Sequence, residues 1–401
     1  MMRLVSGVIL AAVILCFNGC GSVARAPLPA APIRSEAPTS GEAPIHNEVP
    51  ACVCPEPARP SVPQLQAVAW ETLPEWGQQD LSGAFKAFLL GCHAARPQFT
   101  EVCSAATQLA TDQESIRGFF ETRFAPFQFV SAEAPPEGLI TGYYEPLIRG
   151  SRQRTAKYQV PVYGPPADLV TVELSELYPE LKGLRLRGRV EGKKLLPYYT
   201  REEIGSGKSV PGKILFWARD PVELFFVQVQ GSARVQLESG EMIRINFAEQ
   251  NGHPYRSVGR ALVERGELPL DKASMQGIKA WGRQHPDKLD ALLNVNPSYV
   301  FFRELPDSPL GPIGALGIPL SAGYSIAVDP RYVPLGAPVY LSTTMPASSQ
   351  PLKRLTMAQD TGGAIRGAAR ADFYWGSGEE AGELAGRMRQ MGKLWVLMPV
   401  R

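Results

Sequence analysis

The chain has 401 residues, enough for two domains of ordinary size with some chain left over. Apolar residues make up 44% and charged residues 20%, so most of it can bury a core. Lys and Arg number 41 against 39 Asp and Glu, and this near balance of +2 argues against a nucleic-acid protein and against a solvating acidic tail.

Arg3 precedes an apolar run from Val8 to Phe17, then Asn18-Gly19-Cys20. A basic start, a short apolar centre and a small residue before the cut describe a signal peptide, here residues 1-19. Ten apolar residues are too few to span a hydrocarbon core of ~30 Å. Gly19-Cys20 resembles the bacterial lipobox, in which the cysteine is acylated, although Phe17 and Asn18 depart from its usual Leu and small residue. The resemblance implies lipidation at Cys20, and Gly21 after it implies the outer membrane, facing the periplasm. The alternative is a cysteine carried through ordinary secretion. Residues 27-63 hold ten Pro and no aromatic residue, which predicts an extended tether able to reach on the order of 100 Å at ~3.1 Å per residue.

From Trp70 the pattern is globular. Asp80 precedes a helical face of Leu81, Phe85, Phe88 and Leu89. Thr111 to Glu114 reads as a capping box for a helix through Ile116, Phe119 and Phe120. After Pro136, short runs of period two predict strands at 139–144, 160–163, 214–218, 224–229, 235–237 and 242–247. Residues 256–294 read as helical, and strands return at 299–303, 324–328, 338–341, 354–359 and 394–397. Ser377 to Glu380 reads as a second capping box, opening a helix stopped by Gly392. With 38 Gly and 37 Pro, the pattern is mainly β with inserted helices. Cys92 and Cys103 lie in two helical stretches, where either a bridge or two buried thiols would fit; Cys52 and Cys54 fall in the tether with no role assigned. The four scattered His (His46, His93, His253, His285) do not suit a metal site, and neither metal nor cofactor is expected.

The densest polar cluster is Gln359-Asp360-Thr361-Gly362-Gly363-Ala364-Ile365-Arg366-Gly367, followed by Arg370-Ala371-Asp372-Phe373-Tyr374-Trp375-Gly376. Two carboxylates flank a Gly-rich turn, where Gly362-Gly363 permits close approach of backbone or ligand. Three aromatic rings beside Asp372 can desolvate its carboxyl and raise its pKa toward the range a general acid needs. An Asp that merely caps a turn or pairs with an Arg is the competing reading.

This block resembles the 3D domain, named for three aspartates of a double-psi β-barrel, here Asp329, Asp360 and Asp372. From about Gly138 onward the chain resembles the MltA-type lytic murein transglycosylases. The resemblance rests on Thr141-Gly-Tyr-Tyr-Glu-Pro146, Asp220 to Ser232, Asn251-Gly-His-Pro-Tyr255, Asn296-Pro-Ser-Tyr299 and the Gln359 to Gly376 block. It implies a double-psi barrel with a second β-barrel inserted and a glycan groove between them. The implied division is a lipidated Cys and tether over 20-65, the double-psi domain over 66-154 and 298-401 with its 3D region at about 322-398, and the insert over 155-297. The acid/base role falls on Asp372, with Asp360 as a second groove carboxylate; the stretch Ala368 to Ala371 between them varies in the family, which leaves their separation open.

A lytic transglycosylase cleaves the β-1,4 bond between N-acetylmuramic acid and N-acetylglucosamine, using the C6 hydroxyl of the muramic ring in place of water. One carboxyl then suffices where ordinary glycosidases need two. Binding roles are expected for Tyr143, Tyr144 and Glu145 at a rim, and for Gln228 and Gln230 on one face of a strand that ends at Gly231 and Ser232. Gly363 and Tyr324 are expected at the groove, as is Asp329, whose own pattern reads better as a cap on the Asp329-Pro330 turn. The expected partners are peptidoglycan glycan strands and, through the lipid anchor, the membrane; no nucleic acid is expected, and the chain is expected to act as a monomer. A non-catalytic, expansin-like glycan binder is the alternative from another class.

Overall fold

A computed structural model describes residues 64–130, 137–181, 184, 186–209 and 212–400. The signal peptide, Cys20 and almost all of the Pro-rich tether lie outside the described residues. The tether does not extend to residue 65, because Gln64 and Leu65 already pair with Val130 and Phe129.

The strands in chain order begin with β1 (Gln64–Ala67), β2 (Phe124–Val130), β3 (Glu137–Glu145), β4 (Leu147–Ser151) and β5 (Val160–Tyr163). A small separate sheet follows, made of β6 (Val170–Thr171), β7 (Arg187–Glu191) and β8 (Lys194–Pro197). Then come β9 (Ile214–Ala218), β10 (Ser232–Leu237), β11 (Met242–Gln250) and β12 (Val300–Pro306). The C-terminal part supplies β13 (Ser325–Val328), β14 (Pro338–Thr344), β15 (Pro351–Asp360), β16 (Ala371–Ser377) and β17 (Arg389–Pro399).

The C-terminal strands close on themselves in the order β17, β14, β15, β13, β16, β3 and back to β17. Two of the pairs in this ring, β13 with β15 and β16 with β3, are parallel. Such a ring, built from both ends of the globular chain, is the barrel the resemblance implies. β17 is long enough to pair β3 through Arg389 to Lys393 and β2 through Trp395 to Pro399.

Helices α1 (Ser82–Cys92), α2 (Thr100–Ala106) and α3 (Gln113–Arg123) cover one side of the barrel. Phe85, Phe88, Phe119 and Phe120 pack there with ring centroids 5.3 to 6.4 Å apart, a cluster that serves core burial. A disulfide joins Cys92 of α1 to Cys103 of α2. α3 opens one residue later than expected, because the Asp112 side chain accepts from Ser115 N at 2.9 Å in place of a Thr111 box.

The second sheet runs β12, β11, β10, β4, β9, β5. It claims two strands that the sequence division gives to the barrel: β4 pairs with β10 through Ile148 and Val235, and β12 with β11 through Phe302 and Phe247. Their inward residues share one core with Val162 and Phe216, so burial moves the crossing points to Pro146 and beyond Pro306. Among the described residues no ladder joins β5 to β12, although Val162 and Phe302 share that core; the sheet is barrel-like but open.

The remaining helices are α4 (Arg201–Gly205), α5 (Pro221–Gln230), α6 (Val258–Glu264), α7 (Met275–Gln284), α8 (Leu289–Leu293) and α9 (Glu379–Arg387). α5 replaces the strand expected at 224–229. The Asp220 side chain accepts from the Val222 and Glu223 amides at 2.8 and 3.1 Å, and Pro221 takes the first helical position. Its apolar face packs Val222 and Phe225 against Val258, Leu262, Trp281 and Leu292 of the helices that follow. α9 lacks the expected Ser377 box: Ser377 is still in β16 and Gly378, at φ 94°, is the cap. It ends at Arg387, and Gly392 sits inside β17 opposite Gly138.

Candidate active site

The barrel brings four side chains into one row. Ala327 on β13 is the ladder partner of Asp372 on β16 and of Asp360 on β15, and Asp372 is also the partner of Thr141 on β3. Laddered residues share a sheet face, so Thr141, Asp372, Ala327 and Asp360 point the same way. At a strand spacing of about 4.8 Å the two aspartates stand on backbones roughly 10 Å apart. On the strand between them, the residue laddered to both is Ala327, whose side chain is a single methyl group. A register shift between Ile326 and Ala327 leaves Gln359 without a partner on β13 and turns Asp360 onto the Asp372 face. Gln359 points the other way, donating to Ala87 O of α1 at 2.7 Å and accepting from Ser325 Oγ at 2.6 Å.

This row floors a groove of about 690 Å³ between the barrel and the second sheet. Thr141 Oγ1 donates to Asp372 Oδ1 at 2.5 Å and accepts from Arg370 Nη2 at 2.8 Å. Burial is the main influence on Asp372 and raises its pKa to about 6, against the opposing pull of the Thr141 hydrogen bond and the Arg370 charge and with a smaller push from Asp360. Asp360 is held differently: Oδ1 accepts from the Ala315 and Thr361 amides, both at 2.9 Å, and Oδ2 from the Tyr143 hydroxyl at 3.0 Å. Burial and the two carboxylates keep that phenol protonated well past its ordinary range.

The facing wall comes from the second sheet and α5. Gln228 and Gln230 line it, but from the last turn of a helix, where residues two apart face different ways. Gln228 Nε2 donates to Val300 O at 3.3 Å, and its buried Oε1 has no protein partner. Gln230 Oε1 accepts from Tyr144 N at 3.0 Å, tying the helix end to β3. Gly231 closes α5 at φ 84°, a conformation that favours glycine, and Ser232 starts β10 at the groove.

Gly363 lines the groove, but the left-handed residue of the Gly-rich turn is Gly367, at φ 114°. Gly367 N donates to Asp329 Oδ2 at 2.9 Å, and Arg331 binds the same carboxylate. Burial works against its charge, yet the Arg331 and Gly367 hydrogen bonds hold the Asp329 pKa below the usual range. Asp329 is thus the cap of its own turn and an anchor for the Gly-rich turn, and it does not line the groove. Glu145 is no rim residue either. It is 1% exposed and pairs with Arg234 at 3.1 Å and Arg244 at 3.4 Å, joining the end of β3 to the second sheet. Tyr144 packs its ring over Gly382 of α9, and Tyr324 lies against Gly83 of α1 beneath the Arg354 guanidinium; neither reaches the groove. The sequence reading misses Thr141 as a site residue. The signal was alternation along β3, which puts Thr141 and Tyr143 on one face. Among the described residues, no group of three His, Cys, Asp or Glu gathers as metal ligands would.

Two family profiles match the chain, the MltA specific insert domain over residues 139–303 and the 3D domain over 324–398. Membrane-bound lytic murein transglycosylase A of Escherichia coli K12 is 34% identical over 264 residues, 64% of this chain and 64% of that protein. The chain therefore spans slightly under two thirds of that curated relative in the match. A crystal structure of MltA from Neisseria gonorrhoeae is 40% identical, with a TM-score of 0.71 over 86% of this chain and 98% of that one. E. coli MltA with bound chitohexaose is 27% identical, with a TM-score of 0.61 over 86% of this chain and 95% of that one.

Proposed function

The chain belongs to the MltA family, and on that premise we propose that it is a peptidoglycan lytic transglycosylase with Asp372 as its single acid and base. The carrying observation is the Asp372 carboxyl, which faces the groove with a pKa raised by burial to about 6. It begins protonated and gives its proton to the glycosidic oxygen as the bond from muramic C1 breaks. The C6 hydroxyl of the same ring closes on C1 and hands its proton back to the carboxylate. The product is a 1,6-anhydromuramic end, and no water is consumed. Thr141 occupies Oδ1 and so leaves Oδ2 for the substrate oxygen. Asp360, gripped by two amides and a phenol, serves as a fixed negative charge toward the oxocarbenium-like transition state.

The bound chitohexaose of the E. coli relative supports a β-1,4-linked glycan chain as the ligand. Hydrolysis by Asp360 and Asp372 as an inverting pair is the competing reading, because both acids share one face. Mass spectrometry of digested murein decides between them: anhydro ends support transglycosylation, reducing ends support hydrolysis, and intact strands leave only binding. The relatives' membrane-bound character accords with a lipid anchor at Cys20 in the outer membrane, facing the periplasm. Cys20→Ser would then move the protein from the membrane fraction to the soluble fraction, and gel filtration of that form would show a monomer.

A further inference from the structure

Among the described residues, Arg201 is a buried cation with no acid paired to it. Thr200 caps α4, accepting from Glu203 N while Glu203 returns the bond to Thr200 N, which fixes Arg201 at the first helical position. Arg201 Nε donates to Asn296 O at 3.1 Å and Nη2 to Ser298 O at 2.6 Å. The guanidinium lies 4.8 Å from the Phe225 ring centre and 5.2 Å from that of Tyr299. Carbonyls and rings therefore hold the group in place without neutralising it.

Among the described residues, Nη1 meets no protein acceptor and no Asp or Glu pairs with Arg201. The residue is only 9% exposed and lines the groove. Burial is strong enough to pull its pKa down to about 10. Buried charges are ordinarily paired, since an uncompensated one loses its hydration with nothing in return. Arg303 of β12 lines the same wall, whereas the acids of the groove, Asp360 and Asp372, belong to the barrel. A pre-oriented guanidinium with a free N–H edge suits a carboxylate.

The sugar rings of a murein strand are neutral. Its carboxylates sit on the muramic substituent, either at the lactyl group or along the stem peptide. Resting on the function proposed above, we infer that Arg201 is a specificity residue that binds a carboxylate of the muramic substituent. The groove would thereby separate murein from neutral chains of the same backbone.

The test uses the full-length enzyme on peptide-bearing glycan and on amidase-stripped glycan, each with carboxylates free or capped as methylamides. We expect capping to raise the wild-type KM about tenfold. Arg201→Gln should raise KM about tenfold on the free carboxylates, leave it unchanged on the capped chains and keep kcat within about twofold. Relative to Arg201→Gln, Arg201→Lys should recover only part of the loss, since it keeps the charge but not the planar fork held between the two rings. An effect on stripped glycan names the lactyl group as the source, and an effect confined to peptide-bearing glycan names the stem peptide. Equal loss on capped and free chains would overturn the inference, because it would mean a structural role. So would a wild-type enzyme indifferent to capping, a result that needs no variant to fold. If no anhydro product forms from any chain, the transglycosylase reading fails by itself. Calorimetric binding of free against capped stripped glycan then decides the Arg201 question separately.

Discussion

The two walls of the groove are built to opposite rules. The barrel wall presents two carboxylates on adjacent ladders of a closed ring, each fixed by hydrogen bonds from its own domain. The second wall presents amides and arginines from the end of a helix, a short α4 and an open sheet. Closure removes free edges and leaves little freedom for the strands to slide, which suits the sub-ångström placement that the proposed chemistry at Asp372 requires. The open wall tolerates adjustment, which suits reading a long and variable chain.

The sharpest break of this comparison is Asp372→Asn. It should cost at least a thousandfold in kcat while glycan binding by the second wall persists, measured by turnover and calorimetry. The same variant tests the electrostatics. The folded carboxyl titrates at about 6 against 3.8 for the free group, so its contribution to stability is complete below 3.8 and is lost as pH rises through 6. Asp372→Asn should therefore raise the melting temperature at pH 7.5, a gain of ~2–3 kcal/mol at most, and leave it unchanged near pH 3.

Ala327→Leu comes next. A branched side chain on the floor between the acids should cut kcat about a hundredfold, with little change in the far-ultraviolet circular dichroism. Thr141→Val removes a bond that lowers the Asp372 pKa. Its kcat should fall about tenfold, and the alkaline limb of the pH profile, placed near pH 6 in the wild type, should move upward. A downward shift would refute the role given to Thr141. The smallest effect belongs to Tyr324→Phe, expected to stay within about twofold in every kinetic constant because its ring faces α1.

Much of the barrel was legible in advance. The strand positions from β13 to β15 follow from short apolar runs and period two, and Asp372 stands out by its aromatic neighbours. What escaped were features decided by tertiary pairing. β16, which carries Asp372, is flanked by Gly and Arg residues that disguise its alternation. α5 was hidden because Val227 and Val229 alternate with Gln228 and Gln230, although Asp220-Pro221 and Glu223 are a helix start. Glu145 looked like a rim acid because nothing local shows Arg234 and Arg244, about 90 and 100 residues away, folding back onto it. Arg201 carries no signal in the sequence, because an isolated arginine at a helix start has no motif.

The ladder row answers the question that the variable stretch from Ala368 to Ala371 leaves open. The acids are set apart by the width of a strand and not by the number of residues joining them. Evolution can lengthen or trim that connection, retuning whatever the turn touches, while the ruler beneath the reaction keeps its length.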